Sequence, residues 1–229
     1  MRLAILSDIH EDYESLSKIV GLAEARGFDK LICLGDISGF SLPYYKYEKS
    51  RNASACLALL REKCDIIIPG NHDLSAAGIR PELPDVLKGQ ETWPHHLDMD
   101  PGYSEEDTSF LASLPLYDVL PTPAGNILLS HYVYPNLSGF VKGFYYSEKE
   151  FKEHFAFMLE RDCKLCFTGH AHPGGFYRVH PSGFKQYGYR GIKITSFPAV
   201  IGIPHVTRHE HRSSFCIFDT NSLRVKVLR

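Results

Sequence analysis

Five short stretches of this chain gather residue types that hold cations or move protons. They are "SDIH" (Asp8, His10), "GD" (Asp36), "GNHD" (Asn71, His72, Asp73), "SHY" (His131) and "TGHAH" (His170, His172). Asp8, Asp36, Asn71, His10, His131, His170 and His172 offer two carboxylates, one amide oxygen and four imidazoles, with no thiolate. Mixed oxygen and nitrogen donors suit manganese, iron or zinc better than magnesium or calcium, which favour all-oxygen shells. Seven ligands are too many for one ion that keeps an open position, and they suit two ions sharing one carboxylate. A turn alone would explain Gly70-Asn71 but not the His72 and Asp73 that follow.

Each stretch closes an apolar run, so the elements that position it can be read directly. "RLAILS" reads as a buried opening strand, "KLICLGD" as a second and "DIIIPG" as a third. Between them, Leu16, Ile19, Val20 and Ala23 fall at helical spacing, with Gly27 placed as a C-terminal cap, and "ASACLALLREK" reads as a second helix. Strand and helix in alternation predict βαβ units around a parallel sheet. In such sheets the loops at the carboxyl ends of the strands converge on one crevice. Asp8 and His10, two apart on an extended strand tip, would point to the same side, as would His170 and His172. Glycine before Asp36, Asn71 and His170 allows a tight turn and close approach of the backbone.

Residues 82–102 read as loop with short helical turns. Ser104 with Asp107, and Ser147 with Glu150, form capping boxes that open helices. The second of these helices is expected to run to about Arg161, with Phe151, Phe155, Met158 and Leu159 inward. The last third, with "GFYRVH", "IKITSFPAV", "SSFCIFDT" and "LRVKVLR", reads as an antiparallel finish packed on the first sheet.

The 229 residues carry a formal charge of −2 and are 44% hydrophobic, the profile of an ordinary globular protein with no broad basic face. Long nucleic acid is therefore disfavoured as a partner. No stretch has signal-peptide or membrane-spanning character, and six scattered cysteines do not form a disulfide framework. A cytoplasmic protein of one domain, residues 1–229, is expected, with no membrane partner.

Taken in order, "DIH", "GD", "GNHD", "H" and "GHAH" resemble the calcineurin-like metallophosphoesterase superfamily, from Asp8 to His172. The resemblance implies an α/β, four-layer α/β/β/α sandwich in which two packed mixed β-sheets are flanked by helices. It implies Asp8, His10 and His172 on one divalent transition-metal ion, Asn71, His131 and His170 on a second, and Asp36 bridging them. Manganese is the first choice, with iron, zinc or nickel as alternatives. It implies further that His72 meets the phosphate and assists the leaving oxygen, that Asn71 and His72 contact substrate, and that Asp73 orients His72 from behind. The expected activity is hydrolysis of a small phosphomonoester or phosphodiester by a metal-bound water or hydroxide. The alternative is a non-catalytic scaffold that retains the fold.

Two features depart from the family pattern: Tyr132 follows His131 where relatives often have Gly, and "SFPAVIGIP" lacks the usual Asn and Ser. Tyr132 and Tyr134 are read as packing residues, and Gly202 as a turn. His95 and His96 are read as surface or packing residues, and His205 as outside substrate contact. "HEH" at 209–211 lacks the spacing of a helical zinc motif, and Cys163 with Cys166 is read as structural. The aromatic run "FSLPYYKYEK" forms either a rim over the metals or a packed loop, and loops 40–52, 80–103 and 134–147 are expected to set selectivity.

Overall fold

Leu3 and Ile5 pack between two sheets while Ala4 and Leu6 pack against helices, so all four are fully buried. Burial on both faces is why the opening stretch is continuously apolar instead of alternating. The structure, a computed structural model, describes residues 1–209 and 211–229.

The first half contains β1 (Arg2–Leu6), α1 (Tyr13–Arg26), β2 (Lys30–Cys33), α2 (Ala53–Lys63), β3 (Ile66–Ile67) and α3 (Asn71–Ala76). Then come α4 (Glu105–Ser113), β4 (Tyr117–Leu120), β5 (Asn126–Ser130), α5 (Lys152–Glu160) and β6 (Cys163–Thr168). The rest is strand: β7 (Phe176–His180), β8 (Gly183–Gly188), β9 (Ile192–Lys193), β10 (Ala199–Gly202), β11 (Phe215–Asp219) and β12 (Arg224–Leu228).

These strands form two six-stranded mixed sheets, ordered β3-β2-β1-β11-β12-β9 and β4-β5-β6-β10-β7-β8. β1, β2 and β3 run parallel, as do β5, β6 and β10, and the remaining pairs are antiparallel. Leu3, Ile5, Ile32, Phe167, Ile201 and Phe218 fill the space between the sheets. Leu16, Ile19 and Val20 of α1 and Leu57 and Leu60 of α2 cover the first sheet. Phe155 and Met158 of α5 cover the second. The expected four-layer α/β/β/α sandwich is therefore present. Each fully buried Leu or Ile on these faces contributes about 1.5–3 kcal/mol through loss of apolar surface to water.

The helix signals match the observed ends. Asp12 caps α1 by accepting from the Ser15 amide, and Gly27 closes it at φ 68° with its N–H bonded to Glu24 O. Ser104 and Asp107 form the capping box of α4. Three expectations change. The Ser147–Glu150 box opens a 3-10 turn, Glu148–Phe151, before α5 begins. Leu159 is 55% exposed, and Phe157 is buried in its place, stacked on Tyr134 at 4.5 Å. Finally, the last third is divided between the sheets: β9, β11 and β12 complete the first, whereas β7, β8 and β10 complete the second. The "IKITSFPAV" run breaks after Lys193, and residues 194–198 separate β9 from β10.

Candidate active site

The strand tips converge, but not as extended chain. β1 ends at Leu6, and Asp8 (φ 57°), His10 (φ 48°), Asp36 (φ 51°), His170 (φ 65°) and His172 (φ 44°) all adopt the left-handed region. Each such residue costs roughly 1–3 kcal/mol unless its surroundings enforce it. Here the backbone does so: Asp8 N donates to Gly35 O at 2.9 Å, and Ile9 N and His10 N both donate to Asp36 O. The two tips therefore brace each other, and the alternation expected of a strand is replaced by a turn that still brings Asp8 and His10 inward. Two glycines make room. A Cβ on Gly70 would strike the Asp36 carboxylate, and one on Gly169 would strike Ser7 and Asp8.

Around these turns, His–carboxylate groups form within 4.8 Å: the triads Asp8/His10/His172 and Asp36/His131/His170, and a third, His10/Asp36/His72, that overlaps both. His172 Nε2 lies 3.2 Å from Asp8 Oδ1 and 3.2 Å from His10 Nε2. His131 Nε2 lies 3.2 Å from Asp36 Oδ2 and 3.1 Å from His170 Nδ1. The Asp36 Oδ2 atom is also 4.0 Å from His10 Nε2, so this carboxylate stands between the triads. His10 Nδ1 donates to Gly39 O and His131 Nδ1 to Leu34 O, which leaves each Nε2 turned toward the cluster.

Electrostatics follow from this packing. Burial opposes ionisation of Asp8, yet His172 and His131 lower it to about 2. Asp36 is likewise buried, and His131, His72 and His10 hold it well below the usual carboxylate range. Burial keeps His10 well below an ordinary imidazole and brings His170 to about 3. Burial also opposes charge on His131, but Asp36 and Asp8 raise it to about 9. Ionised carboxylates beside neutral imidazoles are what a cation requires, and a proton held at His131 is what it would displace.

The residues fit a pair of divalent ions by a second criterion. Buried polar atoms are normally satisfied. Yet Asn71 Oδ1 has no hydrogen-bond partner among the described residues. The Asn71 amide nitrogen is engaged, 3.0 Å from His95 Nε2, so its oxygen is the atom left for a cation.

His72 stands beside this cluster at the start of α3, its ring centre 5.2 Å from that of His10. Its backbone N–H donates to Asp36 Oδ1 at 3.1 Å, and its Nδ1 pairs with Asp98 Oδ2 at 2.6 Å. Burial would lower the imidazole, but Asp36 and Asp98 raise it to about 9. The partner expected for it was Asp73. That carboxylate instead accepts from Ile37 N, Ser38 N, Ser38 Oγ and Gly70 N, at 2.9–3.0 Å. Asp73 is the N3 residue of α3 and faces back toward its own N-cap, so it pins the Asp36 loop to the helix and does not reach the His72 ring.

Other residues change place relative to the sequence reading. His95, read as a surface or packing residue, packs with its ring 5.1 Å from that of His72, whereas His96 is exposed. Tyr45, from the aromatic run, stacks on His10 at 4.9 Å and is backed by Phe40 and Tyr47, so the run is both packed and part of the site wall. Tyr132 is buried, its hydroxyl accepting from Tyr145 N, and Tyr134 packs on Phe157. Gly202 lies within β10 under the Tyr177 ring, not in a turn. His205 is fully buried 5.0 Å from the His172 ring, its Nδ1 donating to Thr207 O. The "HEH" stretch lies partly outside the described residues. Cys163 and Cys166 are buried free thiols in β6. Asp98 and His95 carried no sequence signal, because both come from a Pro-rich loop without periodicity.

The cluster floors a cavity of about 340 Å³. Among the described residues no helix is long and apolar enough to cross a membrane. The sequence pattern of calcineurin-like phosphoesterases matches residues 1–174. An uncharacterized protein of Methanocaldococcus jannaschii is 25% identical, covering 99% of this chain and 86% of that one. The crystal structure of a metallophosphoesterase from Sphaerobacter thermophilus superposes with a TM-score of 0.73 at 23% identity, covering 100% of this chain and 87% of that one. A hypothetical protein from Pyrococcus horikoshii superposes with a TM-score of 0.66 at 17% identity, again covering 100% and 87%. With its five strand-tip motifs gathered into one cluster and its family match spanning most of the sequence, this chain belongs to the calcineurin-like phosphoesterases.

Proposed function

We propose that the protein is a dinuclear metal-dependent phosphoesterase acting on small phosphomonoesters or phosphodiesters. The observation that carries this reading is the position of Asp36, between two His–carboxylate triads and beside an Asn71 oxygen with no protein partner. In the proposal Asp8, His10 and His172 would hold one ion and Asn71, His131 and His170 the other, with Asp36 serving as a ligand to both. Manganese is the proposed metal, from the mixed donor set. When bound, two such ions supply Lewis acidity toward phosphate and lower the pKa of water.

The chain's own groups do the rest. Gly39 O and Leu34 O fix the tautomers of His10 and His131, so their Nε2 atoms stay available. Asp98 holds His72 through Nδ1 and favours its protonated form, leaving Nε2–H to donate to substrate. His72 then stabilises charge on the phosphoryl group and passes the Nε2 proton to the departing ester oxygen as water adds to phosphorus. Asn71, next in the chain, contacts the same phosphate. Six free cysteines fit a reducing compartment, and the proposal places this one-domain enzyme in the cytoplasm.

Hydrolysis of a bis-aryl phosphodiester and an aryl phosphomonoester, with manganese and after chelation, tests the proposal. Turnover that chelation abolishes and manganese restores is expected. A metal-loaded protein that cleaves neither ester would favour the scaffold reading instead.

A further inference from the structure

Three loops meet over the Asp36 cluster, and four of the side chains they present are aromatic. Tyr44, Tyr45, Trp93, Leu97 and Phe144 line the cavity that the cluster floors. Tyr44 is 54% exposed and Leu97 41%, so apolar surface is left at the mouth where solvent enters. The two walls are built before any ligand arrives. On one side, a Thr92–Val141 bridge, the Trp93 N to Phe140 O bond and the Lys142–Glu91 ion pair join two loops. That junction sets the Trp93 and Phe144 rings 5.4 Å apart at 45°. On the other, Tyr45 is fixed by its stack on His10 and by Phe40 and Tyr47 behind it. Preformed walls spare a ligand the cost of ordering them.

Two of the residues lining this slot also hold a buried polar atom with no hydrogen-bond partner among the described residues, Ser41 Oγ and Trp93 Nε1. Both atoms are shut off from the cavity itself, so the aromatic faces are what the slot offers a ligand. The cavity volume lies near the lower limit for small-ligand sites, which suits one nucleoside and not a polymer.

Resting on the phosphoesterase reading above, we propose that the substrate is a nucleotide, its phosphate over the Asp36 cluster and its base stacked between Trp93–Phe144 and the Tyr44–Tyr45 side. Aromatic faces hold any nucleobase by stacking, so selectivity is for a planar ring and not for one base.

Trp93 is the single tryptophan of the chain, so its fluorescence reports this slot alone. Metal-loaded His72→Ala protein, which holds the ester uncleaved, is titrated with adenosine monophosphate, glycerol phosphate and inorganic phosphate. Saturable quenching by adenosine monophosphate and none by the other two is expected. Phe144→Ala, or Phe144→Leu should the first variant not fold, is expected to weaken adenosine monophosphate about tenfold more than it weakens glycerol phosphate hydrolysis. Equal responses to all three ligands, or equal loss toward both esters, would overturn the slot while leaving the hydrolase intact. Quenching by adenosine monophosphate in a protein that hydrolyses no ester would uphold the slot and remove the hydrolase.

Discussion

Asp98 Oδ2 lies 2.6 Å from His72 Nδ1, although the two residues come from different segments and Asp73 is adjacent to His72 in the chain. The nearer carboxylate is committed to three donors of the Asp36 loop and one at its own helix start, so the distant one sets the tautomer and charge of the imidazole.

Asp98→Asn should therefore lower kcat by about 10–100-fold while the bound metal is retained. The pH profile gives the sharper readout. With His72 raised to about 9, its protonated form persists through neutral pH and is lost only as pH climbs past that value. Removing the Asp98 charge lowers the imidazole, so the alkaline limb of kcat should move to lower pH. An unmoved limb would mean that Asp98 does not govern the proton on His72.

Asp73→Ala should act on folding instead. It strands the buried donors of Ile37, Ser38 and Gly70, and each costs about 1–3 kcal/mol when left unsatisfied. A urea midpoint lowered by several kcal/mol equivalent is expected. A variant as stable as the parent, but slow, would restore Asp73 to catalysis.

Acid should weaken the fold through His154. Its ring is fully buried and accepts from Tyr134 N at Nδ1, and burial lowers its pKa to about 3. Between about 6.5 and about 3 the unfolded chain binds a proton that the folded one does not, so stability falls as pH falls through this window. The contribution is about 1.4 kcal/mol per pH unit for one such group. His154→Leu should flatten that slope in denaturant titrations, and an unchanged slope would assign it to other groups.

The site was legible where chemistry coincides with a strand end. Asp8, Asp36, His131 and His170 each follow an apolar run, and the parallel β1-β2 and β5-β6 pairs bring those ends together. Their backbone geometry was not legible, because left-handed φ at Asp8 and His10 is held by long-range bonds such as His10 N to Asp36 O, which leave no mark on neighbouring residue types. Asp98, His95 and Trp93 were missed for a related reason. They sit in a loop held by contacts to Phe140 and Val141, about fifty residues on, and loop residues carry no periodicity to read. The division of the final strands between two sheets was equally hidden, since β9 and β10 lie in one strand-like run and are separated by only residues 194–198.

The central claim is a cation pair held across one carboxylate, and metal stoichiometry by elemental analysis tests it most directly. Purified protein loaded with manganese should carry two ions per chain, His172→Ala should retain one, and Asp36→Ala should lose both to brief dialysis. A parent protein that binds a single ion, or an Asp36→Ala variant that still holds two, would contradict the account.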